Sequence, residues 1–203
     1  MQVLYVRDRD ELPDVTVAAL EAKGPVRVLP VRELENFFLV DAEPLRKAIA
    51  ERLGTEHAPS GVEIAREMRA CADELRSAIV ARRVVSQLAP IYPVPWAQLA
   101  RVLGDEPTLP SLLSAIEENL GSVGSVQIEA TRAWEAAEQD LERRWETDWV
   151  RLVPGAELLA KLWHAYGLAY DKSRDGLLVA QQIPEPPAEL DAIIRGFLMP
   201  SRA

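Results

Sequence analysis

Two short apolar runs near the N-terminus, each running straight into carboxylates, constrain this chain most. The first is Leu4-Tyr5-Val6, followed by Arg7-Asp8-Arg9-Asp10-Glu11; the second is Val28-Leu29-Pro30-Val31, followed by Arg32-Glu33-Leu34-Glu35-Asn36. Between them, Asp14 to Lys23 reads as a helix closed by Gly24. Strand, helix, strand is a βαβ unit, which leaves its two strands parallel. Parallel strands bring their C-terminal ends to one edge of the sheet, where ligand sites of open α/β sheets lie. Asp8, Asp10, Glu33 and Glu35 are therefore expected to converge. Carboxylates so close repel one another unless a cation sits among them, and an all-oxygen set suits Mg²⁺ or Mn²⁺. If strand geometry persists past Arg7, alternation sends Asp8 and Asp10 to one side and Arg9 to the other.

The 203 residues suffice for one large or two small units, and 48% hydrophobic with 27% charged residues is ordinary for a globular protein. No apolar run has the length of a membrane span and no leader-like N-terminus is visible, so no membrane partner is expected and the cytoplasm is the default location. Cys71 is the single cysteine, which excludes an internal disulfide; it lies in a helical pattern and reads as core. His164 and His57 have no partners at ligand spacing, so zinc is not expected. A net charge of −9 argues against nucleic-acid binding over the whole surface. Basic residues cluster locally, at Arg82-Arg83, at Arg143-Arg144, and at Arg7, Arg9 and Arg32 beside the acids, and a bound cation reverses the field of an acidic site.

Downstream the pattern is helical. Asp41 is placed to cap a helix that runs to Leu53 and stops at Gly54. Ser60-Gly61-Val62-Glu63 fits a capping box for a long helix through Ile64, Met68, Cys71, Leu75, Ile79, Val80 and Leu88. Pro90, Pro93 and Pro95, with Tyr92 and Trp96, read as a packed connector. Short helices are expected near Trp96–Leu103 and Ser111–Asn119, and Gly121 to Ser125 marks a boundary. A helix from about Ser125 to Asp148 carries Trp134, Leu141, Trp145 and Trp149 on one stripe, which reads as a packed face. Ala156–Gly167 is helical, Leu177–Ile183 reads as an apolar turn or short strand, and Pro187 opens a last helix to about Leu198. The expected organisation is a βαβ half with the acidic cluster over 1–53, a long-helix insertion over 54–150, and a helical segment over 151–203 that packs back on the first part.

Asp8-Arg9-Asp10-Glu11 at a strand end resembles the Asp-x-Asp motif of TOPRIM domains, the metal-dependent core of topoisomerases, primases and some nucleases. The stretch Leu29-Pro30-Val31-Arg32-Glu33-Leu34-Glu35-Asn36-Phe37-Phe38-Leu39 resembles the Arg-Glu-Ile-Glu-Asn-Tyr-Leu-Leu signature of the OLD-family (overcoming lysogenization defect) ATP-dependent endonucleases. Trp149 to Leu159, with Pro154-Gly155-Ala156-Glu157-Leu158-Leu159, is similar to that family's closing Pro-Gly-Lys-Glu-Leu-Leu segment. The three segments occur in the family's order. The resemblance implies an α/β fold: a truncated TOPRIM-like parallel sheet at the N-terminus, followed by a mostly α-helical region. It also implies Mg²⁺- or Mn²⁺-dependent endonuclease chemistry, DNA as substrate, an ABC-type ATPase region or subunit as partner, and phage defence as the setting; homo-oligomerisation is left open. Asp8, Asp10 and Glu35 would be catalytic and metal-binding, Glu33 a further ligand, and Glu11 and Asn36 supporting residues.

Two departures qualify what the resemblance implies. A complete TOPRIM domain carries an earlier strand ending in a glutamate, and this sequence starts on the Asp-x-Asp strand; nor does it contain a Gly-x-x-x-x-Gly-Lys-Ser/Thr loop. The family's lysine after Pro-Gly is Ala156. Lys161, five residues on, is turned about 140° round the helix and cannot stand in for it; Lys172 lies in a loop that the sequence does not position. The alternative reading is a cleavage-deficient TOPRIM remnant that acts as an interaction or regulatory module.

Overall fold

Strands Tyr5–Arg7 (β1) and Val26–Val28 (β2) pair in parallel, Tyr5 opposite Val26 and Arg7 opposite Val28, with helix Asp14–Ala22 (α1) between them in the chain. Tyr5 N–H donates to Pro25 O and Leu29 N–H to Arg7 O, so the ladder closes at both ends. The Glu21 carboxylate accepts Val28 N–H at 3.0 Å and ties the end of α1 to β2. The second apolar run does not continue as strand. Pro30 has no N–H to give to a ladder, and Leu29 and Val31 instead turn inward with Phe37, where Leu190 and Ile193 pack on them. The computed structural model describes residues 3–92, 107–120 and 124–198. Over these the chain is mostly helical, with the small parallel sheet at its N-terminus.

Two compact units are present, Met1–Cys71 with Pro154–Ala203, and Ala72–Val153. The expected divisions after 53 and after 150 are thus not those of the units: the first 18 residues of the 54–150 segment belong with the N-terminal part. In the first unit, a 3₁₀ segment, Leu34–Leu39, leads into helix Ala42–Leu53 (α2). Asp41 Oδ1 caps α2 by accepting Glu43 N–H at 3.0 Å, and Gly54, at φ 89°, ends it. Glycine alone takes that conformation without a Cβ clash. Helix Gly61–Glu74 (α3) starts at a reciprocal capping box, Ser60 Oγ accepting Glu63 N–H and Glu63 Oε2 accepting Ser60 N–H.

The expected single helix to Leu88 is divided. Leu75 N–H bonds to Ala72 O, a tight i−3 turn, and Arg76–Leu88 (α4) follows. In the second unit, helix Leu109–Leu120 (α5), capped by Thr108, and helix Gly124–Leu152 (α6) complete the described elements; α4 and α5 both pack on α6. Trp134, Leu141 and Trp145 are buried on α6. Trp145 Nε1 donates to Asp73 at 2.6 Å, and the Arg76 guanidinium lies over its ring at 5.3 Å. Arg83 pairs with Asp140 at 3.0 Å, and Arg143 and Arg144 also pair with α6 carboxylates. The helix expected near Trp96–Leu103, the connector residues Pro93, Pro95 and Trp96, and Gly121 to Val123 lie outside the described residues.

Back in the first unit, helices Gly155–Ala165 (α7), Asp175–Gln182 (α8) and Ala188–Leu198 (α9) follow. Leu177 to Gln182, expected as a turn or strand, is therefore helical. Asp171 sets this up: its carboxylate accepts Arg174 N–H at 2.8 Å and its carbonyl accepts Asp175 N–H at 2.7 Å, a turn that opens α8, whose Leu177 and Leu178 are good helix formers. Asp175 is fully buried, accepts Asp171 N–H and two Arg174 hydrogen bonds, and lies 3.7 Å from Arg52 of α2. The Arg174 bonds hold its carboxyl below the usual aspartate range against the opposing effect of burial. Asp175→Asn is expected to cost about 1.5–3 kcal/mol at neutral pH, the worth of hydrogen bonds to a charged group. The wild-type stabilisation is present above the unfolded aspartate's pKa and is lost as pH falls through the depressed folded one. Urea unfolding should therefore show the wild type and Asp175→Asn converging in acid.

Candidate functional site: an acidic corner at the strand ends

β1 ends at Arg7, and the next residues turn rather than extend. Asp10 takes a left-handed φ of 47°, which Asp tolerates better than most side chains, and its N–H donates to Arg32 O at 2.9 Å. Asp8 and Asp10 are consequently not two steps of one strand, and the expected alternation does not reach Asp10. Asp8 Oδ1 accepts Leu34 N–H at 3.0 Å, which joins the end of β1 to the start of the 3₁₀ segment. Glu11 pairs with the buried Arg32, and Arg32 Nε also lies 3.7 Å from Glu33. Glu11 thus braces the corner through Arg32.

The 3₁₀ segment is held by its own first residues. Asn36 Oδ1 accepts Glu33 N–H at 2.7 Å, a reciprocal cap that fixes the turn, so Asn36 serves the backbone. Glu33 Oε2 reaches across 123 residues of chain to accept Ala156 N–H at 2.9 Å. That donor belongs to the first turn of α7, whose free N–H groups and dipole favour an anion. Gly155, just before it, is pressed against the same turn: a Cβ there would lie 2.9 Å from Asn36 N and 2.9 Å from Glu35 Cβ. Pro154-Gly155-Ala156 and Glu33-Leu34-Glu35-Asn36 therefore form one contact, and Ala156 faces a carboxylate through its backbone.

Glu35 is buried, with 2% exposure. Lys172 Nζ, from the α7–α8 loop, forms an ion pair with its Oε1 at 2.6 Å, and neither carboxylate oxygen has a partner of hydrogen-bond geometry among the described residues. Lys172 is itself 65% exposed. Its ammonium is held protonated above the ordinary lysine range, first by the close side-chain contact with Glu35, with further contributions from the charges of Glu35, Asp8 and Glu33. Glu33 is pushed above the usual glutamate range, chiefly by burial and then by Glu35 and Asp8, against the pull of Ala156 N–H and Arg32. Asp8, Glu33, Glu35 and Lys172 thus share one electrostatic environment. The buried hydroxyl of Tyr170 also lacks a partner, and burial with Glu35, Asp175 and Asp171 nearby keeps the phenol protonated.

Among the described residues, no three carboxylate, histidine or cysteine side chains stand together in a set that could hold a metal ion. The donors that do meet are oxygens, and Mg²⁺ commonly takes only one or two carboxylates and fills its shell with water and phosphate oxygens. Glu35, whose buried oxygens lack hydrogen-bond partners among the described residues, and Asp8 are the side chains that would be candidates for such an ion. Lys172 is the member that sequence reasoning left unplaced; loop residues are set by tertiary packing, and its one sequence signal was the absence of a lysine at 156. Comparison with family models, with curated proteins and with solved structures gives no match.

Two substitutions probe the corner. Gly155→Ala forces a Cβ onto the Asn36 backbone and should cost about 1–3 kcal/mol by overpacking, read by thermal unfolding. Glu33→Gln keeps an acceptor for Ala156 N–H and removes a desolvated charge. Because the folded Glu33 holds its proton more tightly than the unfolded one, wild-type stability falls as pH rises from the unfolded to the folded pKa and stays lowered above it. The melting temperature of Glu33→Gln relative to wild type should accordingly be higher at pH 7 than at pH 3.5.

Proposed function

We propose that this chain supplies the TOPRIM-like acidic half-site of an OLD-type DNA endonuclease, with Mg²⁺ or Mn²⁺ as the metal and an ABC-type ATPase region or subunit as its partner. The observation that carries the reading is the meeting of the Asp-x-Asp turn, the Arg-Glu-Leu-Glu-Asn segment and the Pro-Gly-Ala helix start in one corner, joined by Asp8 to Leu34 and Glu33 to Ala156. These are the three segments that carry the resemblance, and they are far apart in sequence. A bound divalent ion would polarise the phosphodiester and lower the pKa of an attacking water. Asp8 and Glu35 would hold it, Asp10 would join from its turn, and Glu33 would keep α7 in place. The α7 N-terminus offers backbone N–H groups suited to a phosphate.

A second reading, an interaction module with little cleavage of its own, is favoured by β1. Parallel sheets are normally covered on both faces, yet Tyr5 is 61% and Val6 43% exposed on a strand with β2 as its partner. The two readings divide on one experiment, nicking of supercoiled DNA by the full chain with Mn²⁺. The nuclease reading expects weak nicking that Asp8→Asn abolishes and that Ala156→Lys raises by about 10²–10³, the worth of one electrostatic contact to the transition state. Absence of nicking in both the wild type and Ala156→Lys would favour the interaction module. Nicking that persists in Asp8→Asn would remove the acidic corner from the chemistry.

A further inference from the structure

Lys172 and Glu35 form an unequal pair. The carboxylate is almost fully buried, neither of its oxygens has a partner of hydrogen-bond geometry among the described residues, and its cation arrives on a flexible side chain that is 65% exposed. A buried carboxylate is costly unless a cation offsets it, so something positive must stand at Glu35 in every state in which it is ionised. The ammonium does so from a loop, Gly167 to Arg174, that joins two packed helices and exposes Lys172 and Asp171 to water. It also lies within the field of Asp8 and Glu33. A monovalent group on an exposed tether thus stands beside a buried carboxylate, with Asp8 and Glu33 as further negative neighbours.

We propose that the Lys172 ammonium is the resting occupant of a divalent-cation site at Glu35, and that Mg²⁺ or Mn²⁺ enters by displacing it. This rests on the metal-site reading above and adds to it: the site of the isolated chain is closed by its own lysine, and ion entry releases that lysine to solvent. A doubly charged ion satisfies Glu35 and Asp8 together, whereas the ammonium contacts Glu35 Oε1 and leaves Oε2 unpaired. The exchange makes and breaks no covalent bond: Lys172 leaves as ammonium, and the ion takes its place at the Glu35 carboxylate. The Lys172–Glu35 contact therefore lowers the apparent affinity for the ion by the fraction of molecules in which the site is open.

The test is a Mn²⁺ titration of the full chain, followed by paramagnetic NMR line broadening around Glu35 and by calorimetry. The variants are Lys172→Met, Lys172→Arg and Glu35→Gln. Lys172→Met should bind Mn²⁺ about tenfold more tightly than wild type, the gain expected when a competing cation leaves the site open in about a tenth of molecules. Lys172→Arg, which keeps a cation on the tether, should bind as wild type does, and Glu35→Gln should lose the broadening. Equal affinity in wild type and Lys172→Met, with broadening still centred on Glu35, would overturn the exchange and leave the metal site standing. Equal gains in Lys172→Met and Lys172→Arg would also overturn it, since loop disturbance and not charge would then be the cause. Broadening absent from the corner in every variant would overturn the metal-site reading itself.

Discussion

The approach of the α7 N-terminus to the 3₁₀ segment is the contact on which the rest of the first unit depends. It requires a residue without a Cβ at 155, because an added carbon would meet the Asn36 backbone at 2.9 Å. With that space open, Ala156 N–H reaches Glu33, and the first turn of α7 finds an acceptor for one of its otherwise unpaired donors. The same contact sets the depth of Glu35 and Asn36, both buried beneath it. Leu158, Leu159, Leu162 and Trp163 on α7 are then fully buried, so a polar contact at the helix start is locked by an apolar face along its length. The Glu33–Ala156 hydrogen bond joins segments 123 residues apart, which is how a chain whose middle forms a separate unit completes a single core from its two ends.

What could be read from the sequence was local in cause. The βαβ start, the Asp41 cap, the Gly54 stop and the Ser60–Glu63 box each depend on residues within a few positions, and each stands where the pattern puts it. The Trp134–Trp145 stripe is a packed face for the same reason: spacing on one helix determines which side chains share a side. The misses have non-local or finer causes. Pro30 cut β2 short although the apolar run continued, because burial under Leu190 and Ile193 rewards Leu29 and Val31 without a ladder. The break at Leu75 has neither Gly nor Pro to announce it. At α8, a short apolar run did not by itself distinguish strand from helix, and the turn at Asp171 supplies the first hydrogen bonds that favour the helix.

The acidic corner was legible as composition and only partly as geometry. Asp8, Glu33 and Glu35 share a field because two short connections end near one another, and the left-handed turn at Asp10 takes that residue off the strand alternation expected from Asp8. Glu11 looked like a neighbour of the cluster and serves Arg32. Periodicity could not foresee either outcome, because both depend on what the carbonyl and guanidinium of Arg32 accept and donate across the corner. Lys172 was invisible for a related reason. A lysine in a loop is usually a solvated charge, and this one became part of the corner only because the 3₁₀ segment had already buried a carboxylate within its reach.

That sequence of causes bears on chemistry as well as folding. Had the corner been built for stability alone, an apolar residue at 35 would serve better, since replacing a buried ion pair with packed hydrophobic groups is often neutral or stabilising. Among the described residues the buried oxygens of Glu35 and the buried hydroxyl of Tyr170 instead lack hydrogen-bond partners, and Glu35 has an exposed lysine as its ion-pair partner. Unsatisfied buried polar groups are uncommon in folded proteins and gather where a ligand or ordered water completes them. Arg32 pairs with Glu11 and lies near Glu33, and Ala156 N–H at the start of α7 donates to Glu33, so these contacts are directed at Glu11 and Glu33 rather than at Glu35. The backbone and Cβ of Glu35 thus belong to the contact that holds the unit, while its carboxylate is left to the exposed Lys172.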